Sequence, residues 1–190
     1  MPAHYSLTET EEAVNRRLGP IPIEREALAA VSNLYRAAST VRQHLENSAL
    51  RGADLTWSAF VVLWVVWIWE KIETRHVAAE AGISKGTLTG IIKTLESRGL
   101  ALRSQHPDDG RLALLSLTPE GVALMERLFP AFNAEESFVV DMLTGEESLR
   151  LADTLRRIVT HLEEHGEDRR EELRRQSPVP PRRGGRRRAG

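Results

Sequence analysis

Apolar positions recur at helical spacing along most of this chain. Over residues 24–47 they are Leu28, Val31, Leu34, Tyr35, Ala38, Val41 and Leu45. Steps of three and four put them on one face of a long amphipathic helix. Residues 59–69 are continuously apolar and rich in Val, Ile and Trp, so period alone does not separate a buried strand from a buried helix. Length does: Thr56 can cap a helix, and with Glu70 and Lys71 the segment reaches about fifteen residues, too long for an ordinary strand. The expectation is a helix buried on nearly all sides.

Two short helices follow. Thr74 can cap the first, which runs to Ala81 and stops at Gly82, and Ser84 can cap the second. Leu88, Ile91, Ile92 and Leu95 give the second an apolar inner stripe, and Gly99 stands where a left-handed residue closes a helix, with Leu100 as the contact after it. Short apolar runs at 101–105 and 112–117 flank His106-Pro107-Asp108-Asp109-Gly110-Arg111, which predicts a β-hairpin. Thr118-Pro119 opens another helix, carrying Val122, Met125, Leu128, Phe129 and Phe132, with a kink expected at Pro130. Thr144 and Glu147 form a capping box ahead of a final helix striped by Leu149, Ala152, Leu155, Ile158, Val159 and Leu162. Residues 1–23 read as an arm or short lead-in helix, and 166–190 as a charged, disordered basic tail.

At 190 residues, with 41% apolar and 28% charged, the chain can bury the core of one ordinary domain. The absence of cysteine excludes disulfides, thiolate metal sites, thiol nucleophiles and thiol redox sensing. No signal peptide is legible in the first ten residues, and the longest apolar run, eleven residues, falls short of the roughly twenty that span a bilayer. A cytoplasmic protein without a membrane partner is expected. The net charge of −1 conceals an asymmetry: from Gly166 onward nine Arg face four acids, a local +5 that leaves about −6 for the rest. A basic tip of this kind hints at a polyanion and no more.

Residues 74–117 carry the functional signal. Two short helices meeting at Gly82, the second with an apolar inner face and a hairpin directly after it, have the spacing of a helix-turn-helix with a wing. The wing is the most specific part: Asp109-Gly110-Arg111, then Leu117-Thr118, then Pro119-Glu120-Gly121, with Gly99-Leu100 before the first wing strand. In these residues the chain resembles the MarR family of winged-helix transcriptional regulators, over about residues 24–165.

The resemblance implies a mainly α fold with a small β wing: a winged helix-turn-helix at 55–118, flanked by helical dimerisation regions at 24–50 and 119–165. It implies a homodimer on double-stranded DNA, with Arg111 reaching a minor groove and Asp109 holding either that arginine or the wing in shape. The recognition helix would offer the groove what its apolar stripe leaves over: Lys85, Thr87, Thr89, Gly90, Lys93 and Thr94, with Ser84 orienting the first turn. Two features depart from that picture. Gly86 and Gly90 each cost a helix about 1 kcal/mol against Ala, and residues 71–111 carry a net charge of only +2.

The function so implied is sequence-specific regulation of transcription, as a repressor bound to a pseudo-palindromic operator and released by a small aromatic ligand. A nonspecific architectural DNA binder without an effector is the alternative. All four tryptophans lie within residues 57–69. Core and dimer packing is their plainest role, while Trp57, Trp64 and Trp67, with Arg42 and His44 as polar partners, are candidate walls of an effector pocket. No cofactor, metal site or catalytic residue is expected. His161-Leu162-Glu163-Glu164-His165 matches the pattern of inverted zinc peptidases, but it falls at a helix end with no third ligand after it.

Overall fold

A computed structural model describes residues 5–107, 109 and 111–176. The chain divides into two units, Met1–Glu136 and Ser137–Gly190. In the first, Ser6 and Glu9 cap each other's backbone amides and open α1 (Leu7–Leu18), so the amino-terminal arm contains a lead-in helix. The long amphipathic helix follows as α2 (Arg25–Asn47), then a single 3-10 turn at Arg51–Ala53. Thr56 Oγ1 accepts from the Ala59 amide at 3.3 Å and starts α3 (Trp57–Trp69), so the apolar run is helical as its length predicts.

The remaining elements that begin in this unit are β1 (Lys71–Glu73), α4 (Thr74–Glu80), α5 (Lys85–Ser97), β2 (Ala101–Gln105), β3 (Ala113–Leu117) and α6, which runs from Pro119 through Pro130 to Val139. The strands form one antiparallel sheet in the order β1-β3-β2, with Leu115 opposite both Ile72 and Arg103. The predicted hairpin is therefore joined by a third strand. Glu70, at φ 57°, stops α3, and the next residues pair with the free edge of β3. Three residues are too few to show a period, so Lys71 reads as helix in the sequence. Thr74 is accordingly the first helical residue, with Glu73 in the cap position.

α3 packs against α2, α4, α5, β1 and β3, which is why its sequence is apolar around the whole circumference. Val62, Leu63 and Val66 are fully buried, and only the last turn, at Ile68 and Trp69, is exposed. Leu45, Leu95, Leu115 and Met125 complete the centre of the core from four other elements.

In the second unit the Thr144–Glu147 box opens α7 (Gly145–Gln176). This corrects the expectation of a disordered tail from Gly166, because the helix continues through residues 166–176. Its charges pair at helical spacing: Arg170 with Glu167 at 2.7 Å, Arg175 with Glu171 at 3.3 Å, and Arg169 with Glu172. Composition registers these residues as solvated charge; only their spacing reveals the ladder. The arginines at 182–188 lie outside the described residues. Among the described residues no helix is long and apolar enough to cross a membrane.

Candidate DNA interface

α4 and α5 meet at Gly82, whose φ of +63° supplies the left-handed turn, and the Ile83 amide donates back to the Ala78 carbonyl at 3.0 Å. Ser84 Oγ accepts from the Thr87 amide at 3.1 Å and caps α5. Leu88, Ile92 and Leu95 face inward and are buried. Lys85, Gly86, Thr87, Thr89, Gly90, Lys93 and Thr94 are all exposed, so the structure brings the candidate groove-facing residues together on the outer side of one helix. Their hydroxyls are engaged. Thr89 Oγ1 donates to the Lys85 carbonyl at 2.8 Å, Thr94 Oγ1 to the Gly90 carbonyl at 3.2 Å, and Thr87 Oγ1 shares a 2.8 Å bond with Ser84 Oγ.

At the wing, Asp109 Oδ1 accepts from the Arg111 amide at 2.9 Å, and the Leu112 amide donates to the Asp109 carbonyl at 2.9 Å. Of the two roles open to Asp109, this contact serves the second, shaping the turn through the main chain. The base of the wing is tied to α6 by the Leu-Thr-x-x-Gly residues. Thr118 Oγ1 donates to the Gly99 carbonyl at 2.6 Å and accepts from the Gly121 amide at 3.0 Å. Gly121 is required by contact: a Cβ there would lie 2.0 Å from the Leu100 carbonyl oxygen.

Between α5 and the wing lies a cleft of about 350 Å³ whose walls include Lys85, Thr89 and Arg111. Three further charged residues line it that the sequence pattern leaves unmarked: Glu73, Arg75 and Arg103. Arg75 Nε lies 2.7 Å from Glu73 Oε2, a contact of charges rather than an aligned hydrogen bond. Arg103 donates to both carboxylate oxygens of Glu96 at 2.9 and 2.7 Å, and these bonds raise its pKa above the ordinary arginine value. The available signal for Arg75 was position, since the first helix of a helix-turn-helix crosses a DNA backbone and Arg75 is in its first turn. Arg103 and Glu73 gave none, because their approach to the cleft depends on strand register.

The candidate effector residues divide. Trp64 stacks on Phe129 with ring centroids 4.7 Å apart, Trp67 lies 5.8 Å from the same ring, and Trp57 lies 6.3 Å from Phe132. The three indoles therefore line up along α6 as packing. Trp67 also borders a half-open cavity of about 270 Å³ with Val66, Glu70, Leu117 and Val122. His44 Nε2 is 2.7 Å from Glu135 Oε2, tying α2 to α6, while Arg42 is exposed on α2. On α7, His161 and His165 meet edge to face at 5.0 Å, and among the described residues no three His, Cys, Asp or Glu side chains gather as a metal-holding group.

Comparison with known proteins agrees with this geometry. The model of the MarR family matches residues 55–112, from the residue before the α3 cap to the far side of the wing turn. The uncharacterized HTH-type transcriptional regulator YwaE of Bacillus subtilis is 33% identical over 162 residues, 84% of this chain and 95% of the relative. BpsR of Bordetella bronchiseptica, whose DNA binding is regulated by 6-hydroxynicotinic acid, shares the fold with a TM-score of 0.64 and 26% identity, over 69% of this chain and 98% of its own. A mutant MarR from E. coli, solved in complex with operator DNA, superposes with a TM-score of 0.65 at 21% identity, over 72% of this chain and 98% of its own.

Proposed function

The chain belongs to the MarR family of winged-helix transcriptional regulators, and from that premise we propose that it is a homodimeric repressor that binds a pseudo-palindromic operator. The observation that carries this reading is the pairing of an exposed, polar α5 face with a wing whose turn places Arg111 on the same cleft. Ser84, Lys85, Thr87, Thr89, Gly90, Lys93 and Thr94 enter the major groove in this scheme, and Arg111, on the turn shaped by Asp109, enters the adjacent minor groove. Arg75 joins them as a phosphate contact.

Residues 55–118 form the DNA-binding part, and 24–50 with 119–165 the dimerisation part. Support for a dimer comes from α7, where Leu149, Ile158, Val159 and Leu162 are 74%, 41%, 55% and 59% exposed within a single chain. An apolar stripe left this open calls for a second copy. A small aromatic acid is the effector class, as for BpsR. It acts by favouring one spacing of the two recognition helices over another.

Competition between a duplex enriched from a random pool and a scrambled duplex of the same composition tests the reading. The enriched duplex should be preferred by at least ~10³. A ratio near one favours a nonspecific architectural binder, a reading that draws on the two glycines in the outer face of α5.

A further inference from the structure

We infer that α5 reads thymine methyl groups in the major groove rather than hydrogen-bond acceptors on the bases. This rests on the DNA-regulator reading above and names what its recognition helix selects.

A threonine hydroxyl has one proton to donate. On α5, Thr89 gives it to the Lys85 carbonyl at 2.8 Å and Thr94 to the Gly90 carbonyl at 3.2 Å. Those donors are spent inside the helix and are withheld from guanine N7 and O6 and from thymine O4. Each residue also carries a methyl group, which makes no hydrogen bond, and both residues are exposed. The rest of this face narrows the choice further. Gly86 and Gly90 bring no side chain, and a Cβ at Gly90 would meet nothing within 4 Å, so the helix surface beside the threonines is smooth. The donors that remain are Lys85 and Lys93, on flexible stems suited to phosphates, and one hydroxyl proton of the Ser84–Thr87 pair at the first turn, which shares a single 2.8 Å bond. Arg103, the guanidinium that β2 brings to the cleft, is held by Glu96. Among the four bases only thymine presents a methyl group to the major groove. The apolar surface that α5 offers therefore complements T·A pairs.

The test uses the full-length protein and a duplex enriched from a random pool, prepared with thymine and with deoxyuridine in its half-sites. Uracil removes the C5 methyl and leaves every Watson–Crick pair and the minor-groove edge intact, so the contact expected of Arg111 is not touched. The expected loss is about four-fold per contacted thymine, equivalent to about 0.8 kcal/mol for one buried methyl. T89V, which retains a methyl in place of the hydroxyl, should bind like the parent. T89S should bind more weakly and stop sensing uracil at one position in each half-site. Position 89 is exposed, and circular dichroism verifies that each variant is folded. Equal binding of the uracil duplex, with T89V as damaging as T89S, overturns the inference while leaving the regulator reading intact. Failure to enrich any duplex overturns the regulator reading, and this inference with it.

Discussion

Asp109 Oδ1 takes the backbone amide of Arg111 at 2.9 Å, so the acid of the wing motif shapes the chain beneath the arginine. A carboxylate and a side-chain amide can both accept this bond. Asp109→Asn should therefore retain most operator affinity, whereas Asp109→Ala should approach the loss of Arg111→Ala. That loss is about 1–3 kcal/mol, without unfolding. Fluorescence anisotropy with a labelled operator, alongside thermal melts, separates the cases. If Asp109→Asn binds as weakly as Asp109→Ala, the carboxylate's charge matters and not its acceptor.

Gly90 separates stability from binding. A Cβ has open space there, so Gly90→Ala should gain about 1 kcal/mol of helix propensity. A rise in Tm of roughly 2–4 °C is expected. Operator affinity should fall at the same time, because the added methyl stands between helix and groove. A variant that is both more stable and equally tight would remove Gly90 from the interface.

Gly121 should behave in the opposite way. Its Cβ would sit 2.0 Å from the Leu100 carbonyl oxygen and 3.0 Å from its carbon, and main chain cannot yield as a flexible side chain would. Gly121→Ala should lower stability in urea by about 1–3 kcal/mol or more. An unchanged denaturation midpoint would mean that the join between wing and α6 is looser than its contacts show.

Much of this fold was legible because the sequence states its caps. Ser84, Thr144 and the Gly82 and Gly99 turns stand where pattern and residue type place them, with both glycines at positive φ. The α3 helix was legible from length once its period proved silent. The third strand was not, since Lys71–Glu73 is a strand only because β3 offers an edge. The outer face of α5 followed from its inner stripe, but the direction of the threonine hydroxyls did not, because each bond depends on a rotamer that spacing leaves open. Arg103 and Glu73 were invisible for a related reason: sheet register carries them to the cleft.

The carboxyl-terminal part of α7 should respond to acid. Bonds from Arg170 and then Arg174 hold the Glu167 carboxyl below its ordinary value of 4.5. The backbone and side chain of Thr144 do the same for Glu147. A carboxyl with a lowered folded pKa adds stability that is fully present above the unfolded value and is lost as pH falls through the folded one. Helicity and amide protection at residues 166–176 should thus hold above pH 4.5 and decline below it. Glu167→Gln should flatten that decline, and an acid response unaffected by the substitution would assign it elsewhere.

The most direct test of the central claim is selection of bound duplexes from a random pool at physiological salt, with the stoichiometry of the recovered complex determined by light scattering. A homodimer with two recognition helices requires a pseudo-palindrome whose half-sites lie about 10–10.5 base pairs apart, centre to centre, with two chains on each duplex. An asymmetric single site, one chain per duplex, or a pool with no enriched sequence and binding that disappears at moderate salt would contradict it.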